Sequence, residues 1–394
     1  MRRAYKFRAY PTGPQEGRAG RLLRDHCDLY NAALEERRDA WKKQRVSIFY
    51  GGQSAQLRDI RAADPCGQGR HSFTAQQQTL RRLSVVFTAF YKRAAKGGAG
   101  YPRFKPPTRF DQVVFVAGDG SKWQPPEGGR WAYATFQAVG RVKVHAHRTV
   151  PGTVKTLQLK REHRRWYVIV TADAEPAPLP ATGREVGVDV GVARFLTTSD
   201  GEVVANPKFL AAAQATITDL QRRKERARRG SGNRKRIRRA LAREWRKARN
   251  QRRDFHHKTA RALVNSCDVI GLENLNTAGM TRRPKPKPDP DQLGQFLPNG
   301  AAAKSGLNKS ILDAGWAQFT SILAGKAEEA ARRVILVNPA YTSINCHLCG
   351  RRCTRPQQDT VICPACGALD ADVNGARNIA TRAGLGSVQA ARAA

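Results

Sequence analysis

Four cysteines and a small set of carboxylates have the types and spacing that chemistry requires. Cys346-x-x-Cys349 and Cys363-x-x-Cys366 are separated by 13 residues, and each pair is followed at once by glycine, Gly350 or Gly367. Two such knuckles can close a tetrahedral tetrathiolate site, for which zinc is the usual occupant in a reducing compartment. Cys353 is a spare thiol, and Cys27, Cys66 and Cys267 are scattered, which suits metal binding better than a disulfide framework.

The carboxylates are Asp189, Glu273 and either Asp370 or Asp372. In Arg184–Asp200 (REVGVDVGVARFLTTSD) a period-two reading puts Val186, Val188 and Val190 on one face and Gly187, Asp189 and Gly191 on the other. A carboxylate inside an apolar strand is costly unless paired, hydrogen-bonded or bound to a cation, and its flanking glycines leave room for something that approaches closely. The plain alternative is a turn-adjacent aspartate at a strand end. Glu273 in DVIGLENLN has a similar glycine-containing setting, and Asp372 opens the helical pattern Val373–Ala383, with Asp370 as a rival. Three carboxylates brought together raise each other's pKa unless cations fill the space, so the set reads as a divalent-metal site. Two ions held there could activate water and stabilise the leaving oxygen of a phosphodiester.

The elements that must position these groups come next. Beyond the Asp189 strand, a second strand near Val203 is expected to pair with it across Ser199-Asp200-Gly201. Gln221–Lys258 holds 18 Lys or Arg against Glu225, Glu244 and Asp254, and Gly230–Asn233 divides it into two helices. Ile237, Leu241, Trp245 and Ala248 form its packing stripe. The charge excess suits phosphates, with Arg234, Arg238, Arg239, Arg246 and Arg249 as expected contacts; a merely solvated helix is the alternative. A strand over Cys267–Leu275 carries Glu273. A loop at Thr277–Ala303, a helix at Ser310–Arg332 and a strand at Val334–Asn338 follow.

Ahead of these, Ala4–Pro11 reads as a strand with Tyr5, Phe7 and Ala9 inward. Gln15–Lys43 and Phe73–Lys92 read as helices. The second packs Phe73, Leu80, Leu83, Phe87 and Phe90 and presents Gln77, Gln78, Arg81 and Arg82, either as a solvated face or as a nucleic-acid-reading surface. After the breaker run Lys96–Pro107 come short strands at Gln112–Val116, Trp131–Ala138, Gly140–His145, Thr153–Lys160 and Arg165–Thr171, which suggest a small antiparallel barrel or sandwich. Glu175–Gly183 is a proline-rich linker.

Composition sets the class of partner. In 394 residues, 70 Lys plus Arg against 32 Asp plus Glu leave a net charge of +38, which points to a polyanion, above all nucleic acid. Hydrophobic content of 40% excludes a disordered chain, and no run approaches a membrane span or a signal-peptide core. The expected setting is the cytoplasm, at the nucleoid.

GVDVG, the basic stretch ending RRDFHHK, DVIGLENLNTAGM, SGLNKSILDAGW, PAYTSINCHLCG with CPACG, and DADVNGARNI resemble, in that order, the split RuvC-like nuclease and zinc ribbon of TnpB, the RNA-guided endonuclease family of insertion sequences. AYKFRAYPT and GYPRFK resemble its amino-terminal part. The likeness is dense from Glu185 to Ala383 and thin from Val46 to Phe73, and the loop Met280–Gly306 is long for the family.

The resemblance implies an α/β plus β fold. An RNase H-like (RuvC) nuclease domain would span 184–340 and 368–394, with a zinc ribbon inserted at 341–367. An oligonucleotide-binding-type β barrel (wedge) would span 1–11 and 99–175, carrying a helical recognition insertion at 12–98, with a linker at 176–183. It further implies Asp189, Glu273 and Asp372, in preference to Asp370, as catalytic ligands of Mg2+ or Mn2+, and structural zinc on Cys346, Cys349, Cys363 and Cys366. A guide RNA, from a transposon end or a CRISPR array, would pair with double-stranded DNA beside a short flanking motif read by the protein, with Gln77 and Gln78 near its expected reading site and Arg81 a further expected nucleic-acid contact. A monomer is expected. Other classes are a compact type V CRISPR effector with the same chemistry, a guided repressor, a DNA-strand-transfer enzyme and a non-catalytic zinc-ribbon binder.

Overall fold

Alternation along Arg2–Tyr10 makes β1, which buries Tyr5, Phe7 and Ala9 as the sequence predicts. The computed structural model describes residues 1–95, 97–98, 100–292 and 294–385; the tail of the expected nuclease segment, 386–394, lies outside the described residues. The chain forms two units, Met1–Glu175 and Pro176–Ala394. Among the described residues no helix is long and apolar enough to cross a membrane.

In the first unit β1 is followed by α1 (Gly13–Gln44), α2 (Tyr50–Ala55), α3 (Leu57–Ala63) and α4 (Phe73–Ala94). Ser72 caps α4 by accepting from Ala75 N at 3.1 Å. Six strands complete the unit: β2 (Gln112–Val116), β3 (Ser121–Gln124), β4 (Trp131–Phe136), β5 (Gly140–His145), β6 (Thr153–Glu162) and β7 (Arg165–Asp173). With β1 they form one antiparallel sheet in the order β2-β6-β7-β1-β5-β4-β3. The expected closed barrel is not found: β2 and β3 are the two edges, joined by a turn in which Gly118 N donates to Ser121 O, with no ladder between them among the described residues. The helical segment and the sheet share one core, with Leu22, Tyr30, Leu80 and Phe87 packed together with Phe7, Phe115 and Phe136.

The second unit begins with β8 (Glu185–Val190), β9 (Arg194–Thr198) and β10 (Val203–Ala205), then α5 (Phe209–Arg226) and α6 (Gly232–Ser266). Next come β11 (Val269–Glu273), α7 (Thr277–Met280), the strand pair β12 (Lys287–Pro288) and β13 (Phe296–Leu297), α8 (Ala301–Ala314), α9 (Trp316–Glu329) and β14 (Arg333–Val337). The hairpin β15 (Thr360–Cys363) and β16 (Gly367–Asp370) leads into α10 (Ala371–Arg382). The main sheet has the order β10-β9-β8-β11-β14: β8, β9 and β10 are an antiparallel meander, and β11 runs parallel to both β8 and β14.

Four sequence expectations change here. Arg184–Asp200 is two strands, because the chain turns back at Gly191-Val192-Ala193, so the Ser199-Asp200-Gly201 turn joins β9 to β10 and not the Asp189 strand to β10. The single helix over Ser310–Arg332 is two, broken at Gly315 (φ 68°), where an added Cβ would lie 3.2 Å from both Arg252 and His256. Trp245 is 43% exposed and leaves the α6 stripe, while Ile237 and Ala248 are buried as expected. The loop from Thr277 is also partly ordered as α7 and the β12–β13 pair.

The glycines around Asp189 have a physical reason. A Cβ on Gly187 would lie 2.2 Å from Ala376 O and 2.5 Å from Ala380 N, so the backbone of α10 rests directly on β8. Gly375 on the helix returns the relation, since its Cβ would lie 3.1 Å from Asp189 Oδ2. Gly187→Val is therefore expected to cost more than the roughly 1–3 kcal/mol usual for overpacking, because the obstacle is helix backbone and not a mobile side chain. Urea or thermal denaturation measures this, and an unchanged Tm would contradict the close seat of α10.

Candidate active site

Asp189 and Glu273 occupy the same end of two adjacent parallel strands, where Val188 of β8 pairs with Leu272 of β11. Asp372 arrives from the first turn of α10. All three line one cleft of about 700 Å³, together with Arg194, Trp316, Thr342 and Arg355. Asp370 acts differently, as a helix cap. Its Oδ1 accepts from the N–H groups of Asp372 and Val373 at the start of α10, both at 3.0 Å, and its Oδ2 meets Arg194 at 2.9 Å. Arg194 also reaches Asp372 at 3.5 Å, and so ties β9 to the helix start.

Electrostatics distinguish the three carboxylates. Burial, then Glu273, then Asp372 push the Asp189 carboxyl up to about 7. Burial also raises Glu273, against a hydrogen bond donated by the Thr342 hydroxyl, and raises Asp372, against the charge of Arg194. The oxygens of the three do not all lie within 4.8 Å of one another, as a single tight cluster would require. An all-oxygen donor set whose charge the neighbouring arginines only partly offset fits a hard divalent cation such as magnesium or manganese.

A stability signature follows. Without added divalent cation the native chain holds the Asp189 proton up to about pH 7, whereas the unfolded chain releases it near pH 4. The native state is therefore disfavoured progressively as pH rises across that window. Asp189→Asn is expected to raise the Tm at pH 8 and to raise it less at pH 5, and magnesium is expected to stabilise only the unaltered protein. Equal Tm shifts at both pH values would refute this.

The cysteine cluster lies in the same unit. The sulfurs of Cys346, Cys349, Cys363 and Cys366 all fall within 4.8 Å of one another, a set that can hold a metal ion. Gly350 (φ 73°) and Gly367 (φ 80°) take the left-handed turns that bring each pair round. Backbone N–H groups of Ala365 and Cys366 help lower the Cys363 thiol to about 6, and crowding by Cys349, with burial, lifts Cys366 to about 12. One low and one high thiol is what four sulfurs do when they compete for protons, and a soft tetrathiolate set fits zinc. Cys353 stands outside this group, with its Sγ 3.8 Å from Arg351 O.

The cysteine segment is fastened to α10. Asn374 Oδ1 accepts from His347 N at 2.9 Å, and Asn374 Nδ2 and Asn378 Nδ2 both donate to Asn345 O. Elemental analysis is expected to find one zinc per chain. Cys363→Ser, or a strong chelator, is expected to speed hydrogen exchange in 341–367 and in α10 while sparing the α5–α6 hairpin. Uniform loss of protection, or none, would count against this coupling.

The expected nucleic-acid contacts separate on inspection. Gln77 donates to Ser54 Oγ at 3.0 Å and Arg81 lies over the Tyr50 ring, so α2 covers part of the face that the sequence leaves open; Gln78 is half-buried. Arg234 is structural: it donates to the Lys224 and Ala227 carbonyls at the end of α5, pairs with Glu225, and pins α6 to that helix. Arg238, Arg239 and Arg249 are exposed on α6 and Arg246 is half-buried. Sequence reasoning gave no site role to Arg194, Thr342, Trp316 or Arg355; the first three lie in stretches singled out for other residues, and their place in the fold is what selects them.

Comparison with known proteins finds a TnpB-type fold. A family described as "Probable transposase" (OrfB, IS605 type) matches residues 167–283, and "Cas12f1-like, TNB domain" matches 316–379. A "Helix-turn-helix domain" matches 1–45, a stretch that here is one strand and a single 32-residue helix. A protein of Escherichia coli (strain K12) named as a candidate RNA-guided DNA endonuclease, InsQ, is 30% identical over 95% of this chain and 91% of its own length. One of Streptomyces pristinaespiralis with the same designation is 29% identical over 96% and 89%. A Cas12f1 chain, solved in complex with single-guide RNA and target DNA, superposes with a TM-score of 0.57 at 16% identity, covering 93% of this chain and 82% of that one, which shows a shared fold. The chain belongs to the TnpB family.

Proposed function

We propose that this protein is an RNA-guided DNA endonuclease whose second unit is an RNase H-like, RuvC-type nuclease domain. The observation that carries the reading is the convergence of Asp189, Glu273 and Asp372 on one cleft in a chain of net charge +38. The relatives' designations support it, as does the sheet, whose antiparallel meander followed by two parallel strands is the arrangement expected of that domain.

Asp189, Glu273 and Asp372 would hold magnesium or manganese. The bound cation supplies Lewis-acid activation of water and stabilises the leaving oxygen of the phosphodiester. The protein's own contributions are positional. Thr342 fixes the Glu273 carboxylate by donating to it, and Arg194 holds the start of α10 so that Asp372 enters the cleft. Arg355 offers a cation at the rim of the cleft, where a phosphate would lie. A guide RNA would pair with one DNA strand, and exposed α6 arginines such as Arg238 and Arg239 would follow phosphates without reading bases.

The test begins with sequencing the RNA that copurifies with the protein. Cleavage of duplex DNA that carries the matching target beside a randomised flank is then measured. Cutting is expected only with matching RNA, one short flanking motif and a divalent cation. Asp189→Ala, Glu273→Ala and Asp372→Ala are each expected to slow cutting at least about a hundred-fold, the scale for losing one group from a charge-stabilising site, with RNA retained. Asp370→Ala is expected to lose a helix cap, about 1 kcal/mol, and to keep cutting. Cutting without RNA, or full activity in Asp372→Ala, would overturn the assignment.

A further inference from the structure

The first unit holds a second cavity, distant in sequence from the carboxylates, that this reading does not use. It encloses about 670 Å³ between the end of α1, the loop before α2, α4 and Tyr101. That is within the usual range for a small-molecule site. Its lining is mostly aromatic. Phe49, Tyr91 and Trp41 are 66%, 52% and 47% exposed, so three large rings that could have joined the core stand open beside one another. Phe87 and Tyr101 stand behind them, in edge contact at 5.6 Å.

The same cavity contains a guanidinium that, among the described residues, touches no carboxylate. Arg37 is only 6% exposed, donates to Gln53 Oε1 at 2.8 Å and Ser84 Oγ at 3.1 Å, and lies 5.0 Å from the Phe87 ring centroid. The adjacent Glu36 does not neutralise it by contact, because its oxygens accept from Gln53 Nε2 at 2.6 Å and Gln56 Nε2 at 2.7 Å. A buried cation held only by neutral groups is costly, and an arriving anion would repay that cost. The rim adds Lys42 in the lining and Arg45 over the Trp41 ring, while Arg38 is paired with Asp39 at 3.3 Å and Glu35 at 3.7 Å.

Flat apolar faces together with a buried guanidinium that no carboxylate touches match one chemical class. We propose that this cavity receives an unstacked nucleotide of a bound nucleic-acid strand, its base against Trp41, Phe49 and Tyr91 and its phosphate toward Arg37 and Lys42. A second copy of this chain is the weaker candidate on charge, since it would bring the same cationic rim against itself. The proposal rests on the nucleic-acid-binding reading above but not on cleavage. The site adds a base-stacking contact to phosphate tracking, a combination that holds single strands with little sequence preference.

The test uses the full chain freed of copurified RNA, with mixed-sequence single-stranded RNA and DNA of about 20 nucleotides as probes, a length that exceeds one stacking site. Trp41→Ala is expected to weaken binding about ten-fold, the scale of one lost base stack, and Trp41→Phe to restore most of it. The salt slope is expected to stay unchanged, because no phosphate contact is removed. Thermal denaturation identifies any loss due to unfolding, and a photoreactive phenylalanine analogue at the exposed position 49 gives an independent readout. Its crosslink is expected to fall on the strand that occupies the cavity, RNA or DNA. If affinity is unchanged in a folded Trp41→Ala and no strand crosslinks while overall binding persists, this proposal fails and the nucleic-acid-binding reading stands. A crosslink to a second copy of the chain would also overturn it. If the unaltered protein binds neither strand, both readings fall.

Discussion

The contact on which the second unit depends is the one between α10 and β8, where two glycines remove the side chains that would otherwise keep a helix some 10 Å from a sheet. With Gly187 bare, the peptide groups of Ala376 and Ala380 settle onto the strand, and with Gly375 bare the helix passes beside the Asp189 carboxylate. This approach brings Asp372 to the end of the sheet where Asp189 and Glu273 already stand. A bulkier residue at either glycine would lift the helix and carry one carboxylate away from the other two.

Close approach has an electrostatic cost. A strongly cationic chain concentrates three of its few acids in one partly buried place and leaves Asp189 more willing to hold a proton than any ordinary carboxylate. The nearby cations are arranged so that they do not cancel this. Arg194 goes mainly to Asp370 and Thr342 gives Glu273 a neutral donor, which leaves the cleft short of positive charge. The same economy of ion pairs recurs at Arg37 in the first unit with the sign reversed.

Much of this was legible in the residues. Period-two alternation located β1 and most strands of the first sheet, the two C-x-x-C pairs anticipated the sulfur cluster, and glycines beside Asp189 signalled a close neighbour without saying what it was. What escaped were features set by tertiary contact. The turn at Gly191–Ala193 has Gly191 as its local signal, which the sequence reading places on the strand face beside Asp189. Gly315 ends α8 in the left-handed region, and the sequence reading passes over it because the apolar stripe continues on both sides; Arg252 and His256 of α6 fill the space that a Cβ there would need. Trp245 keeps helical spacing with the stripe and still faces outward. An oligonucleotide-binding barrel and an open curled sheet share the same alternation, so pattern could not choose between them.

The order in which the cleft is built along the chain bears on how the protein is made. Asp189 and Glu273 leave the ribosome well before Asp372, and between Glu273 and α10 the chain must complete α8, α9, β14 and the cysteine segment. Until α10 docks, β8 has its glycine face uncovered and the cleft lacks its third acid. A nascent chain therefore carries its cationic helices, and with them the capacity to collect polyanions, while its cleft is still incomplete. Assembly of the cleft is then a late event of synthesis, completed after the cationic helices have emerged.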